Sequence, residues 1–154
     1  MIKTTVKGSF SVQVIRAGKV IVDLPRQSNL ILSTAMSVIS GLGVYLHVGT
    51  GSTAPTYSDT SLENFLTSAN SPTWTDSPSV LNGSVYEKES SKIFTFALGS
   101  VVGNLSELGV ALQASTSLQT RALFKDGVGD PTTIVVTALD QLVVTYFVTK
   151  HTSM

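Results

Sequence analysis

Residues 141–149, Gln-Leu-Val-Val-Thr-Tyr-Phe-Val-Thr, alternate so that Val143, Thr145, Phe147 and Thr149 share one face of a strand. Leu142, Val144, Tyr146 and Val148 share the other. Both faces are rich in apolar groups, and such a strand is stable only in the middle of a sheet or under a covering layer. The chain must therefore build a sheet around this segment. Upstream, residues 85–89, 93–98, 107–112, 120–124 and 133–137 are further short β runs separated by turn clusters. That spacing predicts a mainly β protein, an antiparallel β-sandwich. Asp126-Gly-Val-Gly-Asp-Pro131 reads as a hairpin loop, and residues 138–141 as a tight return into the last strand.

At the other end, Val6, Phe10, Val12 and Val14 are separated by even steps, Ala17-Gly18 breaks the pattern, and residues 19–24 resume as an apolar run. A two-residue connection with glycine at positive φ matches the twist of paired strands, so residues 1–24 are expected as an N-terminal β-hairpin ended by Pro25. From Ser28 the spacing changes. Leu30, Ile31, Thr34, Ala35, Val38 and Ile39 approach a period of 3.6, which predicts a short helix with Ser28 or Asn29 as N-cap and Gly41 as its stop. Residues 44–48 form a brief apolar strand, and a Gly/Ser/Thr/Pro loop follows to about Thr60. Leu62, Phe65 and Leu66 fit a second helical turn capped by Asp59 or Ser61. Residues 67–80, punctuated by Pro72 and Pro78, are expected as an irregular, partner-facing loop. Nothing repeats and no linker divides the sequence, so residues 1–154 are expected as a single domain.

Charge narrows the functional classes. Of 154 residues only 13% are charged, and ten basic residues balance ten acidic ones to a net charge of +0. No electrostatic footprint for a nucleic-acid backbone or an anionic membrane results. Polarity comes instead from Ser and Thr, about a quarter of the chain. A surface with little net charge favours association, which suits a subunit of an assembly. Cysteine is absent, which removes disulfides, thiol nucleophiles and thiolate zinc sites. The opening Met1-Ile-Lys-Thr-Thr-Val-Lys lacks the apolar core of a leader, and no run reaches about 18 apolar residues, so neither secretion by a standard leader nor membrane insertion is expected.

Candidate chemistry is sparse. Gly49-Thr-Gly51 leaves a strand as phosphate loops do, but Ser52-Thr-Ala-Pro55 follows instead of Gly-Lys-Ser/Thr or a helix-opening glycine. His47 lies inside an apolar strand and His151 in the C-terminal tail, neither beside a nucleophile and an orienting carboxylate. Asp126 and Asp130 are too few oxygen ligands for a calcium loop and suit a turn that bonds its own backbone. Glu63, Glu87, Glu89 and Glu107 are the glutamates from which a glycosidase pair would have to come. Tyr57, Trp74 and Tyr86 can stack on a sugar or pack against a partner. No cofactor, metal or catalytic group is expected, and the protein is read as non-enzymatic.

Several segments, taken in order, carry a likeness. They are Asn29-Leu-Ile-Leu-Ser-Thr-Ala-Met36; Val48-Gly-Thr-Gly-Ser-Thr-Ala-Pro55 with Asp59-Thr60 and Leu62; Ser106-Glu-Leu-Gly109; Arg121-Ala-Leu-Phe124; and Pro131-Thr-Thr-Ile134 through Asp140-Gln-Leu-Val-Val-Thr-Tyr146. Together they resemble a family of small structural proteins of tailed-bacteriophage virions, found in tails, collars and fibres. The likeness spans roughly residues 28–149 and leaves the N-terminal hairpin outside. It implies a virion subunit of the tail or head-to-tail (collar, neck) region, made in the host cytoplasm. Such a subunit partners copies of itself and other virion proteins in a symmetric oligomer. A fibre-associated or tail-tip module that binds a host receptor is the alternative. Within the shared motif Gly49, Gly51 and Pro55 shape the strand exit, Asp59 caps a turn, Gly109 allows close strand approach, and Arg121 reaches Glu107 across strands. Val20, Ile21 and Val22 of the hairpin, with Tyr57, Trp74 and Tyr86, are the candidate interface residues.

Overall fold

The computed structural model describes residues 1–33, 35, 43, 45–71, 73–114 and 117–153. Strand β1 (Lys3–Arg16) turns through Ala17-Gly18 into β2 (Lys19–Ser28). Both turn residues have positive φ, 49° and 75°, the signature of a type I′ connection. Pro25 does not end β2. Between Val12↔Leu24 and Phe10↔Gln27 the second strand carries one extra residue, a bulge that absorbs the residue lacking an N–H.

The short strand β3 (Leu30–Ile31) stands where the first helix was expected to begin. The Asn29 amide donates to Tyr146 Oη at 2.5 Å and its backbone N–H donates to Gly8 O, so the intended cap is spent on the hairpin and the last strand. Most of the rest of that expected helix, including Gly41, lies outside the described residues. The second helical turn is also overturned, because Phe65 and Leu66 open β5 (Phe65–Asn70), which pairs with β4 (Tyr45–Gly49). Long-range pairing outweighs a three-residue helical spacing. Among the described residues none is α-helical, and no helix is long and apolar enough to cross a membrane.

Residues 67–80 are less irregular than expected, since they contain most of β5, all of β6 (Thr75–Asp76) and the start of β7 (Val80–Asn82). The two runs at 85–89 and 93–98 merge into one strand, β8 (Val85–Thr95). The remaining strands are β9 (Gly103–Leu105), β10 (Glu107–Ala111), β11 (Thr120–Leu123), β12 (Ile134–Val136) and β13 (Asp140–Ser153). His151, placed in the tail by its position in sequence, lies in β13 opposite Thr5 and Glu87.

Two antiparallel sheets form the sandwich. One has the order β2-β1-β13-β8-β6, with β7 also on β8, and the other β3-β11-β10-β4-β5; a β12-β9 ribbon accompanies them. As its two-sided apolar pattern requires, β13 is central, paired with β1 from Lys3↔Ser153 to Arg16↔Asp140 and with β8 on its other edge. One core draws on both layers. Phe10, Val12, Val14, Phe94, Leu142, Val144 and Tyr146 from the first meet Leu46, Val48, Leu108, Val110 and Phe124 from the second. Phe10 and Phe124 touch across the layers at 6.1 Å between ring centroids. The hairpin is thus part of the sandwich and not an appendage, because Phe10, Val12 and Val14 are completely buried.

Candidate functional site

In β10 the even residues Leu108 and Val110 point into the core, which sends Glu107 and Gly109 to the opposite face of the smaller sheet. Residues 50–64 fold back over that face. A small second cluster of Leu32, Leu62, Ala111 and Leu118 forms beneath them, and beside it sits a charged one.

Glu107, whose side chain is 0% exposed, gathers five donors. Its Oε1 accepts from the backbone N–H of Gly51 at 2.9 Å and of Asn64 at 2.8 Å. Its Oε2 accepts from the Glu63 N–H at 3.1 Å and from Arg121 Nε and Nη2 at 3.1 and 2.9 Å. Arg121 is 4% exposed and continues outward, donating to Asp59 Oδ2 at 2.6 Å and to the Thr53 carbonyl at 3.1 Å. Glu63 accepts from the Ser52 and Thr53 N–H groups and the Thr53 hydroxyl. Asp59 accepts from the N–H and hydroxyl of Thr56, and the Ser106 hydroxyl donates to the Gly51 carbonyl.

Three carboxylates and one guanidinium leave excess negative charge, and the loop's own N–H groups neutralise it. The Thr56 hydroxyl and N–H, then Arg121, hold the Asp59 carboxyl down to about 2. Thr53, through its N–H and hydroxyl, lowers Glu63. Burial opposes the charge on Arg121, but its bonds to Asp59 and Glu107 prevail and raise its pKa. Every carboxylate oxygen in the cluster already has a donor. Such an arrangement holds a loop; it does not present a free base or a ligand set to solvent.

The shared-motif residues predicted from sequence therefore converge. Glu107, Arg121 and Asp59 bond directly, Gly49 and Gly51 lie beneath them, and Pro55 sits in the same loop before the Thr56 turn. The glycines are required by space and not by φ. A Cβ on Gly51 would meet the Glu107 carboxylate and, at 2.6 Å, Glu63 Cβ; one on Gly49 would meet Asn64 O and, at 2.8 Å, Glu107 Oε1. On Gly109 it would strike the Thr120 carbonyl. The ion pair is buried, so the small contribution of an exposed pair does not apply to it. Sequence reasoning weighed Glu63 only as a member of a glycosidase pair and missed the roles of Thr53 and Thr56, whose signal was only the density of hydroxyls and carboxylates in one loop.

The other candidates scatter. His47 is 6% exposed in β4, its Nε2 lies 3.2 Å from Gln113 O, its ring meets Phe65 edge-on, and burial lowers its pKa. Glu87 pairs with His151 at 3.3 Å and Glu89 with Arg26 at 2.7 Å, both on the outer face of the larger sheet. There Arg26 lies 3.9 Å over the Phe147 ring, beside a groove of about 240 Å³ lined by Lys7, Ser9, Arg26, Thr149 and His151 among others. Asp126 Oδ1 accepts from the N–H groups of Val128 and Asp130, the self-bonded turn expected of it. Tyr57, Trp74 and Tyr86 do not form one surface. Trp74 packs on the core with the buried Lys92 ammonium 4.7 Å from its ring, whereas Tyr86 is six residues from Lys92, about 20 Å along β8. Val20 and Ile21 are exposed, but Val22 packs against the core. Among the described residues no group of three or more His, Asp or Glu is placed to hold a metal.

No family model, curated protein or solved structure matches the chain.

Proposed function

We propose that this chain is a non-enzymatic structural subunit of a tailed-bacteriophage virion, in the tail or head-to-tail region, that works by holding neighbouring copies in a symmetric oligomer. The observation that carries the reading is the surface. Large apolar side chains stand exposed on both sheets and their edges, among them Val6, Val20, Ile21, Phe65, Leu66, Val80, Leu81, Tyr86 and Ile93, while the chain bears no net charge. Exposed apolar groups of this number favour burial between subunits. The clamped loop supports the same reading, because a rigid Ser/Thr-rich surface suits repeated contacts. A host-binding module would gain from Tyr57, Trp74 and Tyr86 acting together, and they are dispersed.

Light scattering after size-exclusion chromatography of the full chain tests the proposal. A closed oligomer, of six or twelve copies for a ring, is expected. A monomer at every accessible concentration overturns self-assembly as the function.

A further inference from the structure

The larger sheet overhangs the sandwich. Beyond Gly8, Val148 and Ser90, the strands β1, β13, β8 and β7 run on without a second layer, so the face that is core elsewhere is open to solvent. On this leaf the register places Tyr86 beside Leu81, and Lys88 beside Lys150 beside Val6. Leu81 is 55% exposed, Tyr86 49% and Val6 43%. Lys88 and Lys150 are like charges directly opposed across two strands, which is unfavourable in an isolated sheet. Asp76 lies 3.2 Å from Lys88 and also feels the charge of Lys150, so one carboxylate answers two ammonium groups and the leaf keeps an excess positive charge; Lys150 forms no ion pair of its own among the described residues.

A second feature has the complementary form. The loop after β11 is closed by the Lys125↔Pro131 bridge, and the Asp126 N–H donates to the Asp130 carbonyl, so two acidic residues face each other at its neck. Between them Val128 projects, 84% exposed. Asp126 is tied to its own loop, which fixes the tip, and Asp130 has no cation partner among the described residues. The leaf thus offers an apolar pair flanked by two adjacent ammonium groups, and the loop an apolar tip flanked by two acidic residues. Lys88 and Lys150 occupy opposed strand positions, and Asp126 and Asp130 are joined across their turn by a backbone hydrogen bond.

We infer that the Asp126–Asp130 loop of one copy seats on the overhanging leaf of the next, Val128 against Leu81 and Tyr86, the carboxylates against Lys88 and Lys150. The inference rests on the proposed self-assembly and names its contact. Because loop and leaf are different surfaces, the contact is head-to-tail and generates a ring where the rotation closes.

Charge exchange tests it in the full chain. Lys150→Glu and Asp130→Lys each weaken association at least tenfold by light scattering, with unchanged circular dichroism. An equimolar mixture of the two restores wild-type mass, since each then meets the opposite charge. If the wild type assembles but either variant keeps its mass, or the mixture fails to recover, this contact is wrong and self-assembly stands. A monomeric wild type overturns both. An independent readout uses the absence of cysteine: oxidised Leu81→Cys/Val128→Cys chains form a covalent ladder and neither single variant does. No ladder overturns the contact.

Discussion

Glu107 is an unusual place to put a carboxylate, behind a β-sheet and out of contact with water, and its retention is explained by what it holds. Five donors from three separated stretches of chain end on its two oxygens. Removing one member of a buried pair strands the other, which costs about 3–5 kcal/mol. Glu107→Ala is therefore expected to lower unfolding free energy in urea by that amount, and a loss below about 1 kcal/mol would show the cluster to be incidental. Gly51 belongs to the same construction. Gly51→Ala pushes a methyl group into Glu107 and Glu63, so a destabilisation of about 1–3 kcal/mol is expected, although Gly-to-Ala replacement at an open, compatible site stabilises. Asp59 sets the acid response. Its folded pKa of about 2 lies below its ordinary 3.8, so the carboxylate contributes stability above pH 3.8 that disappears as pH falls towards 2. Asp140, held low first by Arg16 and then by Thr137, acts in the same direction. Asp59→Asn should flatten the stability-versus-pH curve between 3.8 and 2, and an unchanged curve would remove Asp59 from the account.

The hairpin of β1 and β2 is the element where local sequence and native geometry disagree most visibly. A type I′ turn wants Asn-Gly or Gly-Gly, but this one has Ala17 at φ 49°, a left-handed conformation that an alanine resists by roughly 1–2 kcal/mol. Ala17→Asn is expected to raise stability by about 0.5–1 kcal/mol, seen as a higher urea midpoint at unchanged slope. No rise would mean that the turn is relaxed in solution. Because Phe10 is wholly buried, Phe10→Ala should cost about 3–5 kcal/mol, the behaviour of a core strand and not of an extension. The alternating runs made most of the strands legible, and the central place of β13 followed from its two apolar faces. The start of the first helix and the second helical turn were misread for a definite reason. Leu30, Phe65 and Leu66 take their conformation from partners elsewhere in the chain, Leu30 from Arg121 and β5 from β4, and no local period records such partners. The site was half legible. Glu107, Arg121, Asp59 and the glycines could be picked out as a motif, whereas many of the donors are backbone N–H groups, which every residue but proline has.

One edge strand from each sheet, β2 and β5, shows how the whole fold treats its unpaired edges. At β2 the edge is broken by a bulge at Ile21, by Pro25 and by the charges of Lys19, Asp23 and Arg26, devices that discourage strand addition. At β5 the segment Phe-Leu-Thr-Ser-Ala-Asn carries no charge and no proline, and it exposes Phe65 and Leu66. A free monomer with such an edge and an uncovered leaf is prone to association, whereas a subunit whose neighbours cover these surfaces gains stability from them. That difference is measurable without knowing any partner. Assembly that favours the folded state makes unfolding depend on concentration by mass action, and a tenfold change is worth at most about 1.4 kcal/mol per subunit. For a chain of this size the corresponding rise in Tm is at most about 3–6 °C for each tenfold increase in protein. Scanning calorimetry over two decades of concentration should show that slope, and Lys150→Glu should flatten it while leaving the dilute-limit Tm in place. A Tm independent of concentration in the wild type would mean that the folded chain stands alone and that its exposed apolar groups serve something other than self-association.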